Sequence, residues 1–154
     1  MILWRVSNHV TLDGRGGLRA SARWHSRGQR IIYASPDPAT ALLEVLVHAE
    51  IEFRDLPISL CFIEIEAPER ISSETIPVPT LPAGWQSRPD MTRPIGDHWL
   101  ASSRSALLMV PSVIVPETYN VLLNPQHPAA AQLAIRKVHR HPFDQRLTAA
   151  GRGT

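Results

Sequence analysis

The sequence predicts an α+β domain of many short strands around one strong helix, and three observations predict it. Fourteen prolines in 154 residues cut the chain into short elements. Apolar stretches rich in Val, Ile and Leu recur between those breaks from Ile2 to Arg140. One segment alone, Ala39 to about Glu50, carries apolar residues at helical spacing over several turns. There is no internal repeat and no long low-complexity tract.

Each element follows from local chemistry. Ile2 to Val6 reads as a first strand, and Thr11 to Gly17, with Asp13-Gly14 and Gly16-Gly17, as a turn region. Ile31 to Ala34 is a short strand stopped by Ser35-Pro36. Asp37 is a good N-cap and Pro38 suits a first helical position, so the helix begins there. Its apolar residues cover most of the circumference, which predicts burial on most sides. Thr40, Glu44 and His48 fall in one narrow row, which must then face solvent, a partner or a cleft.

Ile58 to Glu66 reads as a long strand ended by Pro68. Residues 74–94 hold five prolines and read as a long ordered surface loop. Ile95 to Ser103 suggests a short helix. Ala106 to Val110, Val113 to Val115 and Val121 to Leu123 read as strands split by Pro111 and Pro116. Ala129 to Leu133 suggests one or two helical turns, and Ile135 to Arg140 a last strand. The expected organisation is one compact domain over 1–147 with a flexible tail, 148–154.

The net charge of +2 is too small to imply nucleic acid by itself. Its distribution says more. Residues 1–30 hold six arginines against the single acid Asp13, while 37–74 hold nine acids against Arg54 and Arg70. The basic side is built from arginine, whose planar fork matches phosphate and carboxylate. An N-terminal half that binds a phosphate-bearing ligand is one reading; solvated surface charge is the other. The one cysteine, Cys61, lies in an apolar run, so it is expected to be buried and inert and no internal disulfide forms. No apolar run is long enough to span a membrane, and Met1-Ile2-Leu3-Trp4-Arg5 is not a signal peptide, so a cytoplasmic protein is expected.

Several constellations are candidates for chemistry. Glu44 is either a solvated glutamate or a carboxylate held by a rigid helix beside a cleft, with His48 one turn on to orient it. Arg23-Trp24-His25 is either an amphipathic edge strand or a clamp for a phosphate and a ring. Tyr33 either stacks on an aromatic ligand or caps the core. Ser112, between apolar stretches, either satisfies a backbone group or serves a site. No G-x-S-x-G elbow surrounds it, so a hydrolase nucleophile is not expected. His139, His141 and Asp144 lack a second ligand cluster, so no metal site is expected. There is no P-loop and no G-x-G-x-x-G fingerprint.

These pieces occur together, in this order, in one known family. The matching stretches are Trp4-Arg5-Val6-Ser7, Leu12-Asp13-Gly14, Arg23-Trp24, Ile32-Tyr33-Ala34-Ser35 and Ala41-Leu42-Leu43-Glu44-Val45-Leu46-Val47-His48. They continue with Thr92, Ile95-Gly96-Asp97-His98-Trp99-Leu100, Val110-Pro111-Ser112, Asn120, Leu122-Leu123-Asn124-Pro125, His127-Pro128 and Phe143-Asp144-Gln145-Arg146-Leu147. The chain resembles the RES domain, named for its Arg, Glu and Ser residues, over roughly residues 2–147. It departs where the family usually has a Gly-Gly-like pair before the arginine and Asn after the tryptophan. Here these are Ser21-Ala22 and His25.

The resemblance implies a mixed β-sheet core like that of the ADP-ribosyltransferase toxins. It implies a bacterial toxin of a type II toxin–antitoxin system, an NAD+ phosphorylase or NAD+ glycohydrolase that depletes NAD+. NAD+ is then the substrate rather than a cofactor, with water or inorganic phosphate as acceptor. A cognate Xre-type helix-turn-helix antitoxin is the implied partner. Carried over by position, Arg23, Glu44 and Ser112 are the catalytic residues, and Arg5, Arg23, Tyr33 and Ser112 bind NAD+. Nicotinamide leaves a cationic ring as a neutral molecule, so one carboxylate suffices where glycosidases use two. The competing readings are mono-ADP-ribosylation of a protein target, using the same pocket, and a nucleic-acid-binding module using the arginines and the stretch 136–140. The 74–94 loop is a candidate contact surface, for a partner or in a homo-oligomer.

Overall fold

The computed structural model describes residues 1–48, 60–144 and 146–147. Seven strands are found among them: β1 (Ile2–Ser7), β2 (Ile32–Ala34), β3 (Cys61–Glu66), β4 (Ser73–Thr75), β5 (Leu107–Pro111), β6 (Tyr119–Leu123) and β7 (Ala134–His139). They form a three-stranded sheet in the order β1-β3-β7 and a four-stranded sheet in the order β2-β6-β5-β4. β4 runs parallel to β5 and every other pair is antiparallel, so the expected mixed core is present, divided between two sheets. The sheets join at one point, where Trp4 and Ser35 exchange two backbone hydrogen bonds of 2.8 Å.

The strand sequences explain the core. In β3 the alternation places Cys61, Ile63 and Ile65 inward, where they pack with Leu3, Ile32, Leu107 and Leu123. Cys61 is buried and free, as its apolar context predicts. In β5 and β6 the alternate residues Leu108, Val110 and Leu122 face a second cluster built around Trp24, Trp85 and Trp99. Each fully buried aliphatic side chain of this kind contributes about 1.5–3 kcal/mol.

Helix α1 (Gly16–Arg19) begins in the last two residues of the stretch read as a turn region and runs past it. Helix α2 (Pro38–His48) starts where the capping signal places it: the Asp37 carboxylate accepts the Thr40 backbone N–H at 2.8 Å and the Thr40 hydroxyl at 2.7 Å. Its described part differs from the expected deep burial. Only Ala41 is fully buried, packed with Leu42 and Val45 on Val6 and Phe62, while the remaining apolar residues are partly open. The helix lies on the flank of β1 and borders a cleft, so one side is covered and the other is free to line a site. Its expected continuation to Glu50, the start of the next strand at Ile58 and the 148–154 tail lie outside the described residues.

Three further corrections have local causes. Helix α3 spans Pro89–Ser102, not only the expected 95–103. Pro89 occupies the tolerated first turn, and Pro94 removes one hydrogen bond near the N-terminal end. Tertiary bonds hold that end instead: the Thr92 hydroxyl donates to the Arg23 carbonyl, and Arg93 Nε donates to the Ala22 carbonyl at 2.8 Å. Within the expected 74–94 loop, Ser73–Thr75 forms β4 and short 3-10 turns occupy 78–80 and 85–87. Finally, Val113–Val115 is a bend rather than a strand. The Ser112 Oγ accepts the N–H groups of Ile114 at 3.1 Å and Val115 at 3.2 Å, a local turn that replaces ladder bonds.

Gly96 on α3 touches the turn before β2 so closely that a Cβ there would collide with the Trp24 carbonyl. Gly96→Ala is therefore expected to destabilise the protein by about 1–3 kcal/mol or more. Urea unfolding checks this; an unchanged midpoint contradicts the close packing of α3 on that turn.

Candidate active site

A cleft of about 660 Å3 opens between β1, the end of β2, α2, the 20–25 turn and the start of α3. Arg5, Arg23, Tyr33 and Glu44 all line it, although they lie far apart in sequence. Ser112 does not line it, but sits directly behind Glu44.

Glu44 is placed by α2 and held by residues of two other segments and by one of its own helix. Its Oε1 accepts the Ser112 hydroxyl at 2.7 Å and the Asn120 amide at 2.7 Å. Its Oε2 accepts His48 Nε2–H at 2.8 Å, as the shared helical row foresees. Asn120 is itself oriented by the Ser35 hydroxyl, which donates to its Oδ1 at 2.8 Å. Burial pushes the Glu44 carboxyl up, but the bonds from His48, Asn120 and Ser112 more than offset this and hold it below its ordinary 4.5. Glu44 is therefore an anion at neutral pH. Both lone pairs of Oε1 are used, and one position on Oε2 stays open toward the cleft.

Ser112 is 2% exposed and its hydroxyl is fully engaged, donating to Glu44 and accepting from two backbone N–H groups. Its geometry is that of a group that positions the carboxylate.

The Arg23 turn is not an edge strand. It is a tight turn closed by the Ala22–His25 bridge, and it is fixed from several sides. Trp24 is buried beside Trp85, ring centroids 6.0 Å apart, so it anchors the turn in the core. Asp97 on α3 accepts the Ser26 backbone N–H at 2.8 Å and its hydroxyl at 2.6 Å. His25 Nε2–H donates to the Ala20 carbonyl at 2.9 Å, which leaves Nδ1 as an acceptor for the Tyr33 hydroxyl at 2.8 Å. The Tyr33 oxygen in turn accepts the Trp24 N–H at 3.2 Å. Burial holds His25 below its ordinary 6.5 and so neutral, and burial raises the Tyr33 phenol. The hydroxyl of Tyr33 is thus spent on the turn, and its ring remains for the cleft.

Arg23 donates one terminal N–H to the Trp85 carbonyl at 3.2 Å, while its Nε is buried with no partner among the described residues. Arg5 donates to the Thr11 carbonyl at 3.0 Å. Burial lowers the proton affinity of both guanidiniums, which nevertheless stay charged. Neither makes a salt bridge among the described residues. Both are half-buried, and the charges of Asp13 and Glu44 act on them from a distance without forming an ion pair, so this wall is suited to an anion.

Asn120, Ser35 and Arg93 also line the cleft and are not among the residues that the sequence marks for it. Asn120 and Ser35 stand within the matching stretches, but no spacing ties position 120 to position 44. Elsewhere, His139 Nε2 bonds the Glu64 carboxylate at 2.6 Å and His141 stacks on Phe62. Among the described residues no three His, Cys, Asp or Glu side chains converge to hold a metal, and no helix is long and apolar enough to cross a membrane.

Comparison with known proteins adds to this geometry. The RES domain family model matches residues 2–146. The chain is 44% identical to "Toxin Res" of Pseudomonas putida, covering 88% of this chain and 92% of that one. It is 37% identical to "Prs ADP-ribosylating toxin" of a Sphingobium species, over 94% of each chain. Among solved structures, the Mycobacterium tuberculosis MbcT-MbcA toxin–antitoxin complex contains a chain of similar fold: TM-score 0.74, 15% identity, 96% of this chain and 88% of that one.

Because the Glu44 carboxyl is depressed in the folded state, its contribution to stability is present above 4.5 and is lost as pH falls through the lowered value. Removing one of its donors, Ser112→Ala, is expected to raise the Glu44 carboxyl pKa, read by NMR titration of that carboxyl. An unmoved titration contradicts the positioning role of Ser112.

Proposed function

This chain belongs to the RES domain family, and we propose that it is the toxin of a toxin–antitoxin pair that cleaves the nicotinamide–ribose bond of NAD+. The observation that carries the reading is one firmly held carboxylate, Glu44, in the same cleft as half-buried arginines that make no ion pair among the described residues. NAD+ presents the complement of that arrangement. It has an anionic diphosphate, a ribose carbon that gains positive charge as its bond breaks, and a leaving group that departs neutral.

In this reading Arg23 and Arg5 take the diphosphate through charge-assisted hydrogen bonds. The Tyr33 ring packs near the nicotinamide. The bond from ribose C1 to the ring nitrogen breaks, and its electron pair stays with nicotinamide. The open position on Glu44 Oε2 holds a ribose hydroxyl and stabilises the oxocarbenium charge. An oxygen of water or of inorganic phosphate then bonds to C1, giving ADP-ribose or its phosphate ester; the attacking water releases its proton to solvent. Ser112, Asn120 and His48 act through Glu44, keeping the charge aimed before the reaction begins.

The antitoxin partner is supported by the fold shared with a chain from a toxin–antitoxin complex, and the family expectation makes it an Xre-type protein. The site of action is the cytoplasm, where NAD+ is held. One observation favours a second reading, transfer of ADP-ribose to a protein: the Sphingobium relative is named an ADP-ribosylating toxin. The two share every step up to the acceptor.

Glu44→Gln keeps shape and removes charge. It is expected to lower NAD+ consumption about 10^2–10^3-fold. Wild-type turnover by purified Glu44→Gln contradicts the assignment. With NAD+ labelled in its ADP-ribose part, label in small molecules supports cleavage to solvent or phosphate, and label in a protein band supports the second reading.

A further inference from the structure

Arg93 lies on α3 and lines the same cleft as Arg23 and Glu44. Its Nε–H donates to the carbonyl of Ala22, the residue preceding Arg23. Of its five N–H donors only this one is engaged among the described residues, and Arg93 makes no salt bridge among them. The anchoring bond fixes the base of the guanidinium and leaves its fork free.

The acids nearby are already committed. Asp90 is bound in a fork by Arg88 Nε and a terminal nitrogen, at 3.3 and 2.7 Å. Asp97 holds Ser26 with both oxygens, and Glu44 is held by Ser112, Asn120 and His48. Arg93 is close enough to Arg23 to disfavour its charge. Two guanidiniums line one cleft, one with a buried orphan Nε, and neither makes an ion pair among the described residues, an arrangement that suits an anion of more than one charge. They come from separate elements, a turn and a helix, each braced by the other. Two guanidiniums held by separate carbonyls, those of Trp85 and Ala22, offer one fork to each phosphoryl group of a diphosphate.

We propose that Arg93 and Arg23 form a diphosphate clamp, each guanidinium holding one phosphoryl group of the dinucleotide. As applied to NAD+ this rests on the function proposed above; as a site for a diphosphate anion it stands on the cleft alone. Arg93 is a binding residue here, not merely a brace for the Ala22 turn, and it acts on affinity rather than on the bond that breaks.

The test uses inorganic pyrophosphate in calorimetry and NAD+ in steady-state kinetics, on wild type, Arg93→Gln, Arg93→Lys and Arg104→Gln. Arg104→Gln removes a cation just beyond the end of the same helix and outside the cleft, where it pairs with Glu74. Loss of one charge-assisted contact predicts about tenfold weaker pyrophosphate binding in Arg93→Gln and partial recovery in Arg93→Lys. KM for NAD+ rises by a similar factor with kcat nearly unchanged, and Arg104→Gln behaves as wild type. Equal pyrophosphate affinity in wild type and Arg93→Gln overturns the clamp, as does a lowered melting temperature and kcat with unchanged pyrophosphate binding, the signature of a brace. If pyrophosphate binds through Arg93 but NAD+ is not consumed by wild type, the clamp stands and the NAD+ reading falls.

Discussion

Glu44 Oε1 accepts two hydrogen bonds, from Ser112 just after β5 and from Asn120 on β6, and that junction sets the form of the whole site. It ties a helix to two strands of the second sheet, while the same helix packs on β1 of the first. The two sheets also share a buried core and hydrogen-bond through their backbones at the Trp4–Ser35 bridge. Ser35 extends the junction by orienting Asn120, so the backbone crossing between the sheets and the carboxylate network share a residue. A buried carboxylate is costly unless its lone pairs are satisfied. Here the satisfaction comes from groups that must be brought together by folding, so the fold and the charged state of Glu44 support one another.

The opposite wall of the cleft works by the reverse logic. Arg5, Arg23 and Arg93 are satisfied only in part, by backbone carbonyls of Thr11, Trp85 and Ala22. The carbonyls fix their position without neutralising their charge. A fully compensated wall would be more stable and would hold an anionic ligand less well. The cost is met by rigid packing around the Arg23 turn, where Trp24 is sunk in the core and α3 closes on it through Gly96. The chain-specific His25 takes part in this. Its neutral ring joins Ala20 to Tyr33, so the turn is braced on its β2 side by a side chain where the family usually has Asn.

The helix start at Asp37, the buried Cys61 and the strands centred on residues 4, 33, 63, 108 and 122 were legible because capping, burial and alternation are local. So was the Thr40, Glu44, His48 row, whose last two members bond each other. The start of α3 was not legible, because Pro94 signals a break and only tertiary bonds from Thr92 and Arg93 override it. Val113–Val115 has the composition of a strand, and it bends because the Ser112 hydroxyl captures two of its N–H groups. In the site, family position marked Arg5, Arg23, Tyr33, Glu44 and Ser112. It did not reveal that Ser112 works behind Glu44, nor that Asn120 shares the same oxygen. Those facts depend on contacts across 68 and 76 residues of sequence, which no local pattern encodes.

The central claim is that the cleft binds NAD+ and breaks its nicotinamide–ribose bond. Proton and phosphorus NMR of NAD+ incubated with the purified protein, with and without inorganic phosphate, tests it most directly. The account predicts that nicotinamide signals move to those of the free base and that the ribose C1 proton shifts to that of ADP-ribose or, with phosphate present, its 1-phosphate ester. A spectrum in which NAD+ persists intact under both conditions, with protein that is folded, would contradict it.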